Sequence, residues 1–283
     1  MTTPALCGVH HTARPTWKLA ETLRFYRDTM GLKLVHAISA RGWGPADHPD
    51  FLHFFFDSGK GSTIAFFYYI GDDRPDWAQA QPRYDFDATH TAWVVDTPEE
   101  VTAWRQLLES RGVQVTPEMR HEVIESIYFR DPNGYLLEVT RMLRPFGELD
   151  AADADRTLQA AIALEAQAEA GGAPFRGIDG VWQGKARAAG AGGSAPASSN
   201  PAVLVIDVEE FHPVVEAARA MPGATVTGPH AGYWRIDSSS ELVFQRKPMG
   251  FKPALWWSML TGGYAGRIHT YTRDELRIGR EGT

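Results

Sequence analysis

The tripeptide His-Thr-Ala occurs twice, at 11–13 within GVHHTARPTW and at 90–92 within DATHTAWVVD, and each copy opens the same succession of elements. After the first, TWKLAETLRFYRDTMG keeps Leu19, Leu23, Tyr26 and Met30 at helical spacing and stops at Gly31. LKLVHAI, DFLHFFF and STIAFFYYI then read as strands. After the second copy, Thr97-Pro98-Glu99-Glu100 supplies an N-cap, a proline at the first helical position and a capping-box glutamate. The helix carries Val101, Trp104 and Leu108 and stops at Gly112. VQVTPEM, ESIYFR and, across the Asp131-Pro132-Asn133-Gly134 turn, YLLEVTRM complete the unit. Both segments are βαβββ. One such unit leaves a sheet face bare and has to bury it against another, so the fold is α+β with repeated βαβββ modules, two of them paired into a cup.

A third, fainter copy follows residue 200: AVLVID, the helix-like EEFHPVVEAARAM, then ATVTG, GYWRID and SELVFQRK. Aligned on Asp96 and Asp207, Pro201 stands where His90 does; aligned on the last turn, Phe244 or Gln245 stands where Glu138 does. The third copy is therefore expected to keep the scaffold and lack the charged residues. The predicted organisation is paired modules over 1–150 (about 5–72 and 87–143), a helical connector over 151–183, a Gly/Ala/Ser linker over 184–200, and a degenerate module with an aromatic tail over 201–283. An odd number of modules predicts that the third pairs across a homodimer axis or is covered by the 151–170 helix.

Composition narrows the function classes. The formal charge is −7, and no run of Lys and Arg offers a footprint for phosphate backbones, so nucleic acid is not an expected partner. The single cysteine, Cys7, excludes an internal disulfide framework and fits a cytoplasmic location. Neither a secretory leader nor an apolar window long enough to span a membrane is read in the sequence.

Equivalent residues on the first strands of two paired units face one another, so His11 and His90 are expected to converge, and strand alternation sends Glu138 into the same space. Two imidazoles and one carboxylate make the ligand set that holds Fe(II) with open positions for substrate and dioxygen. His10, next to His11, is expected on the opposite sheet face.

HHTA…FYRDTMGLKLV, HTAWVVD and SIYFRDPNGYLLEVT resemble the vicinal oxygen chelate superfamily, which includes extradiol ring-cleavage dioxygenases, glyoxalases, epimerases and bleomycin-resistance proteins. The resemblance covers residues 5–143 and implies paired βαβββ modules around a divalent metal. It matches His11, His90 and Glu138 to the iron ligands of extradiol dioxygenases, and Tyr128 to the tyrosine that contacts the substrate oxygen. The fourth protein ligand of isomerase-type members comes from the strand that here reads STIAFFYYI, which has no acid, amide or histidine. Three ligands leave room for a bidentate catecholate and dioxygen, so the resemblance points to a dioxygenase acting on a small aromatic substrate with O2. The alternatives are an isomerase, lyase or epimerase using Mn, Zn, Ni or Mg, and a non-catalytic binder. The sequence departs from the family where extradiol enzymes carry an acid/base histidine, which here reads Gly61-Ser62. His53 and His121 are the candidates to replace it.

Overall fold

Strand β1 (His11–Pro15) runs parallel to β4 (Ser62–Tyr69), and β3 (Phe51–Gly59) and β2 (Leu34–Ala40) complete a sheet of order β1-β4-β3-β2. The crossover between β1 and β2 is helix α1 (Leu19–Arg24), which continues in a wider turn over Phe25–Thr29. The second copy repeats the plan. Strand β5 (Thr91–Val94) runs parallel to β8 (Leu136–Met142), followed by β7 (Ile124–Arg130) and β6 (Met119–Arg120), with helix α2 (Pro98–Ser110) as crossover. These are the coordinates of a computed structural model, which describes residues 9–40, 49–78, 87–190 and 200–280.

Helix α2 starts as its sequence dictates. Thr97 accepts from the Glu100 N–H, Glu100 caps the Thr97 N–H in return, and Pro98 occupies a position whose N–H has no helical partner. The strand expected over VQVTPEM shrinks to the two residues of β6 and an isolated bridge from Val115 to Phe129. Pro117 has no N–H to give a ladder there.

Alternation divides the aromatic strands. Phe54, Phe56, Ile64 and Phe66 join Tyr26 from the first helix and Val101, Leu108, Ile127, Phe129, Leu137 and Val139 from the second copy in one core. Phe51, His53, Phe55 and Phe67 lie on the other face of the first sheet. The two copies are also clasped by the Asp131–Gly134 turn. Asp131 accepts from the N–H groups of Asn133 and Tyr135 and from the Tyr26 hydroxyl, and Asn133 reaches Thr16 and Thr22 in the first copy. Burial raises the Asp131 pKa above the ordinary carboxylate value, and the hydrogen bonds it accepts only partly offset that. A raised carboxylate binds its proton more tightly folded than unfolded, so its contribution to stability is full below about pH 4 and declines as pH rises through the folded value. Urea unfolding of wild type and Asp131→Asn across this range checks the sign: the stability difference, wild type minus variant, shrinks as pH increases.

Residues 1–119 with 124–143 form one unit, and 120–123 with 144–283 a second. In the second unit, α3 (Glu148–Ala170) packs along α4 (Asp179–Gly190), so residues 184–190 are helical where a linker was expected. Trp182 and Lys185 explain the difference: both are buried, and they tie that turn of α4 to the unit's interior. Residues 191–199, the rest of that linker, lie outside the described residues.

The third copy keeps the order β9 (Ala202–Ile206), α5 (His212–Arg219), β10 (Ala224–His230), β11 (Tyr233–Ser238), β12 (Leu242–Gln245). Its pairing differs. In the first two modules the last strand lies between the first and the third; here β9 pairs directly with β11, and β13 (Tyr264–Ala265) adds to the other edge of β9, giving the order β10-β11-β9-β13. Strand β12 pairs instead with β15 (Glu275–Gly279), next to β14 (Arg267–Tyr271). Gly262 allows the segment before β13 to approach β9 closely: a Cβ there would stand 2.2 Å from the Leu204 carbonyl oxygen. The aromatic tail thus supplies strands, the short helix α6 (Pro253–Trp257) and core residues such as Trp256 and Leu260. Among the described residues no helix is long and apolar enough to cross a membrane.

Candidate metal centre

In the second module His90 stands one residue before β5, and Ala92 is in register with Glu138, which is in turn opposite Tyr128. Leu137, Val139, Ile127 and Phe129 fill the core, so Glu138, Ser126 and Tyr128 share the opposite face. Glu138 is only 3% exposed although it lies on the face away from that core. Its Oε1 accepts from Ser126 Oγ at 2.5 Å, and its Oε2 lies 3.1 Å from His90 Nε2. Thr140 Oγ1, 2.9 Å from Ser126 Oγ, extends the chain of hydroxyls. His90 Nδ1 is 3.0 Å from the Asp87 carbonyl oxygen.

That last contact decides the chemistry of His90. A carbonyl oxygen only accepts, so Nδ1 carries a ring proton, and Nε2 meets Glu138 either through a second N–H or, as a lone pair, across a cation. A lone pair and a carboxylate oxygen 3.1 Å apart repel unless a proton or a metal cation lies between them. Imidazole and carboxylate, with the far ring nitrogen tied to a backbone carbonyl, are two of the three ligand groups the sequence points to.

Tyr128 hydrogen-bonds with both Glu138 and Ser126, and its pKa is raised by burial and then by the charge of Glu138. Its hydroxyl therefore stays protonated at neutral pH and is available as a donor. In the first module, His53 is buried on the face of β3 that also carries Phe55, with its ring stacked on Phe67 at 3.7 Å between centroids. His53 Nδ1 is 3.1 Å from the Phe66 carbonyl oxygen, which again places the proton on Nδ1 and leaves Nε2 as a lone pair. Burial lowers the His53 pKa, so the ring is neutral at pH 7.

His11 stands at the start of β1, its ring centroid 6.5 Å from that of His53 and 5.9 Å from Phe55. Arg14 of β1 donates to Thr91 of β5, which brings the two first strands alongside one another. Of the residues expected at the site, the structure therefore brings together His90, Glu138 and Tyr128, and separately His11 and His53. Among the described residues no three His, Cys, Asp or Glu side chains form a group close enough to hold one ion. His121 belongs to the 120–123 segment of the second unit. His10 corrects an expectation: its Nδ1 is 2.9 Å from His11 Nδ1, because the strand begins at His11 and alternation does not govern the residue before it.

Registers also locate the position a fourth ligand would take. Ala92 pairs with Glu138 in the second module, and Ala13 pairs with Ala65 in the first, so Ala65 is the counterpart of Glu138. Ser126 and the Asp87 carbonyl escape a search for ligand types. Ser126 was legible as the residue two before Tyr128, on the same face and opposite a threonine.

A family model described as Glyoxalase/Bleomycin resistance protein/Dioxygenase superfamily matches residues 8–139. Among curated proteins no relative matches. Solved structures similar to the chain include a glyoxylase/bleomycin resistance protein/dioxygenase domain from Frankia sp. EAN1pec, 22% identical, covering 49% of this chain and 99% of its own, TM-score 0.37. A lactoylglutathione lyase from Agrobacterium tumefaciens is 21% identical over 49% of this chain and 96% of its own, TM-score 0.34. An antibiotic-binding protein from a Streptomyces species is 18% identical over 50% of this chain and 99% of its own, TM-score 0.35.

Proposed function

Because residues 8–139 of this chain belong to the Glyoxalase/Bleomycin resistance protein/Dioxygenase superfamily, we propose that it is a non-haem Fe(II)-dependent dioxygenase of extradiol type, cleaving a catechol-like aromatic ring. The observation that carries this reading is His90 Nε2 3.1 Å from the buried Glu138 carboxylate, with no carboxylate at the corresponding position, Ala65, in the first module. Isomerases of this kind use a fuller protein ligand set; a site with His11, His90 and Glu138 alone keeps coordination positions for substrate and O2. Fe(II) bound there would supply chelation of two adjacent substrate oxygens and a position for dioxygen next to the ring.

The chain's own residues do the rest. Ser126 holds Glu138 Oε1 and so aims Oε2, while the Asp87 carbonyl fixes the His90 tautomer. Tyr128 offers its proton to an oxygen of the substrate. His53, neutral and with Nε2 unprotonated, accepts a proton released when the diol binds. Phe55 and Phe67 flank His53 and offer apolar, planar surface to an aromatic ring.

The test is oxygen uptake by the full chain, loaded anaerobically with Fe(II), against a panel of catechols. Uptake stoichiometric with catechol, falling to background in His90→Ala, is the expected result. A bound Mn, Zn, Ni or Mg with no oxygen uptake would favour an isomerase or lyase, and ligand binding indifferent to chelators would favour a binding protein.

A further inference from the structure

We propose that Arg130 is a positioning residue that, through the side chain of Asp87, sets the backbone carbonyl holding the His90 ring against Glu138; its consequence for catalysis rests on the dioxygenase reading. His90 stands one residue before β5, ahead of the ladder that begins with Thr91 opposite Leu137. Its ring is held from both ends, with Nδ1 3.0 Å from the Asp87 carbonyl oxygen and Nε2 3.1 Å from Glu138 Oε2. The direction of the first contact needs no choice, because a carbonyl oxygen only accepts. Where that carbonyl points depends on Asp87, three residues earlier.

Arg130 fixes Asp87. Its Nη2 stands 2.8 and 2.9 Å from the two carboxylate oxygens, and its Nη1 donates to the Gly134 carbonyl at 2.9 Å. Arg130 ends β7 in register with Leu136, so the guanidinium ties the segment before β5 to the β7–β8 turn. A planar fork serves two such acceptors at once, which a lysine ammonium on a flexible stem does less well. Ser126, Tyr128 and Arg130 alternate along one face of β7. Ser126 holds Glu138 Oε1, and Arg130 governs His90 through Asp87, so side chains of one strand orient both partners of the His90–Glu138 contact, with Tyr128 between them. The Arg130 and Asp87 side chains are 41% and 33% exposed, and a pair that open to water contributes little to stability. What the pair supplies is therefore geometry at His90.

NMR of the metal-free full chain, labelled with 15N at histidine, tests this in wild type, Arg130→Ala, Arg130→Lys, Asp87→Ala and the variant carrying both alanines. His90 is identified by the signals that vanish in His90→Gln. Wild type is expected to show a His90 Nδ1 proton protected from exchange with water. Arg130→Ala is expected to lose that protection, Arg130→Lys to keep part of it, and the double alanine variant to be no worse than the more severe single one, since the two residues act as one unit. Melting temperatures are expected to stay close to wild type in all four. In the Fe(II)-loaded chain, oxygen uptake with the active catechol is expected to fall about 10-fold in Arg130→Ala, the lower end of what outer contacts of a ligating histidine cost, and in kcat more than in KM. An unchanged Nδ1 proton in Arg130→Ala overturns the proposal. So do additive losses in the double variant, which would separate Arg130 from Asp87, and a melting temperature that drops with the protection, which would make the pair structural. No oxygen uptake in wild type, with the NMR pattern as expected, overturns the dioxygenase reading and leaves Arg130 as the residue that positions His90.

Discussion

Replacing Glu138 by Ala is expected to lower the affinity of the chain for Fe(II) or Co(II) by more than about 100-fold, the upper end of what removing a ligand's hydrogen-bond partner costs. The same change is expected to leave the metal-free fold intact to within about 1 kcal/mol. The two halves have one origin. Glu138 is an almost wholly buried carboxylate, so in the metal-free chain its desolvation offsets much of what its contacts with Ser126 and His90 return. Ser126 loses an acceptor in the variant but keeps Thr140 within hydrogen-bonding distance. A residue placed for packing would behave the other way round, with stability falling and metal affinity held. Chelator competition and urea unfolding in EDTA read the two quantities separately. Wild-type affinity in Glu138→Ala would remove the carboxylate from the site.

How much of this was legible in the sequence follows from which interactions are local. The two repeats were readable because period and capping are local: Thr97 and Glu100 cap α2 as their spacing requires, and alternation alone sends Phe54 and Phe66 inward and His53 to the other face. Glu138 was legible because a carboxylate in an apolar strand has few uses. His10 was misjudged because alternation applies inside a ladder, and β1 starts one residue later. The pairing in the third copy was beyond a local reading, since β9 pairs directly with β11 and its other edge takes β13, some twenty residues downstream of the module. Residues 184–190 look like a linker in composition, and helix forms there because Trp182 and Lys185 on the same helix are buried by distant partners. The roles of the Asp87 and Phe66 carbonyls were invisible in principle: every residue has a carbonyl, and only the folded chain shows which one meets a histidine.

Asp153→Ala is expected to destabilise the second unit by about 3–5 kcal/mol, the cost of leaving one partner of a buried ion pair unpaired. Asp153 is the one buried residue of α3, and its Oδ1 accepts from Lys185 Nζ at 2.6 Å and from the Tyr233 hydroxyl at 2.5 Å. Lys185 in turn donates to Thr157 at 2.7 Å and to the Thr261 carbonyl, so one carboxylate links α3, α4, β11 and the turn before β13. Burial lowers the Lys185 pKa, opposed by Asp153, and burial with the Asp153 hydrogen bond pushes the Tyr233 hydroxyl up to about 12. Without Asp153 the ammonium loses its hydrogen-bonded counter-charge, leaving the weaker field of Glu122, and Lys185 is expected to release its proton more readily in the folded state. A lysine whose folded pKa is lowered costs stability wherever the unfolded chain would be protonated, so the defect in Asp153→Ala is expected to ease as pH rises towards about 10. Removing both charges together distinguishes the ion pair from packing: Asp153→Leu with Lys185→Met is expected to recover most of the lost stability, because a buried pair replaced by apolar groups of similar size is often neutral. Hydrogen exchange at the β9 amides reads the stability of this unit by itself. Equal loss in the single and double variants would mean that shape, and not charge, holds the two helices to the sheet.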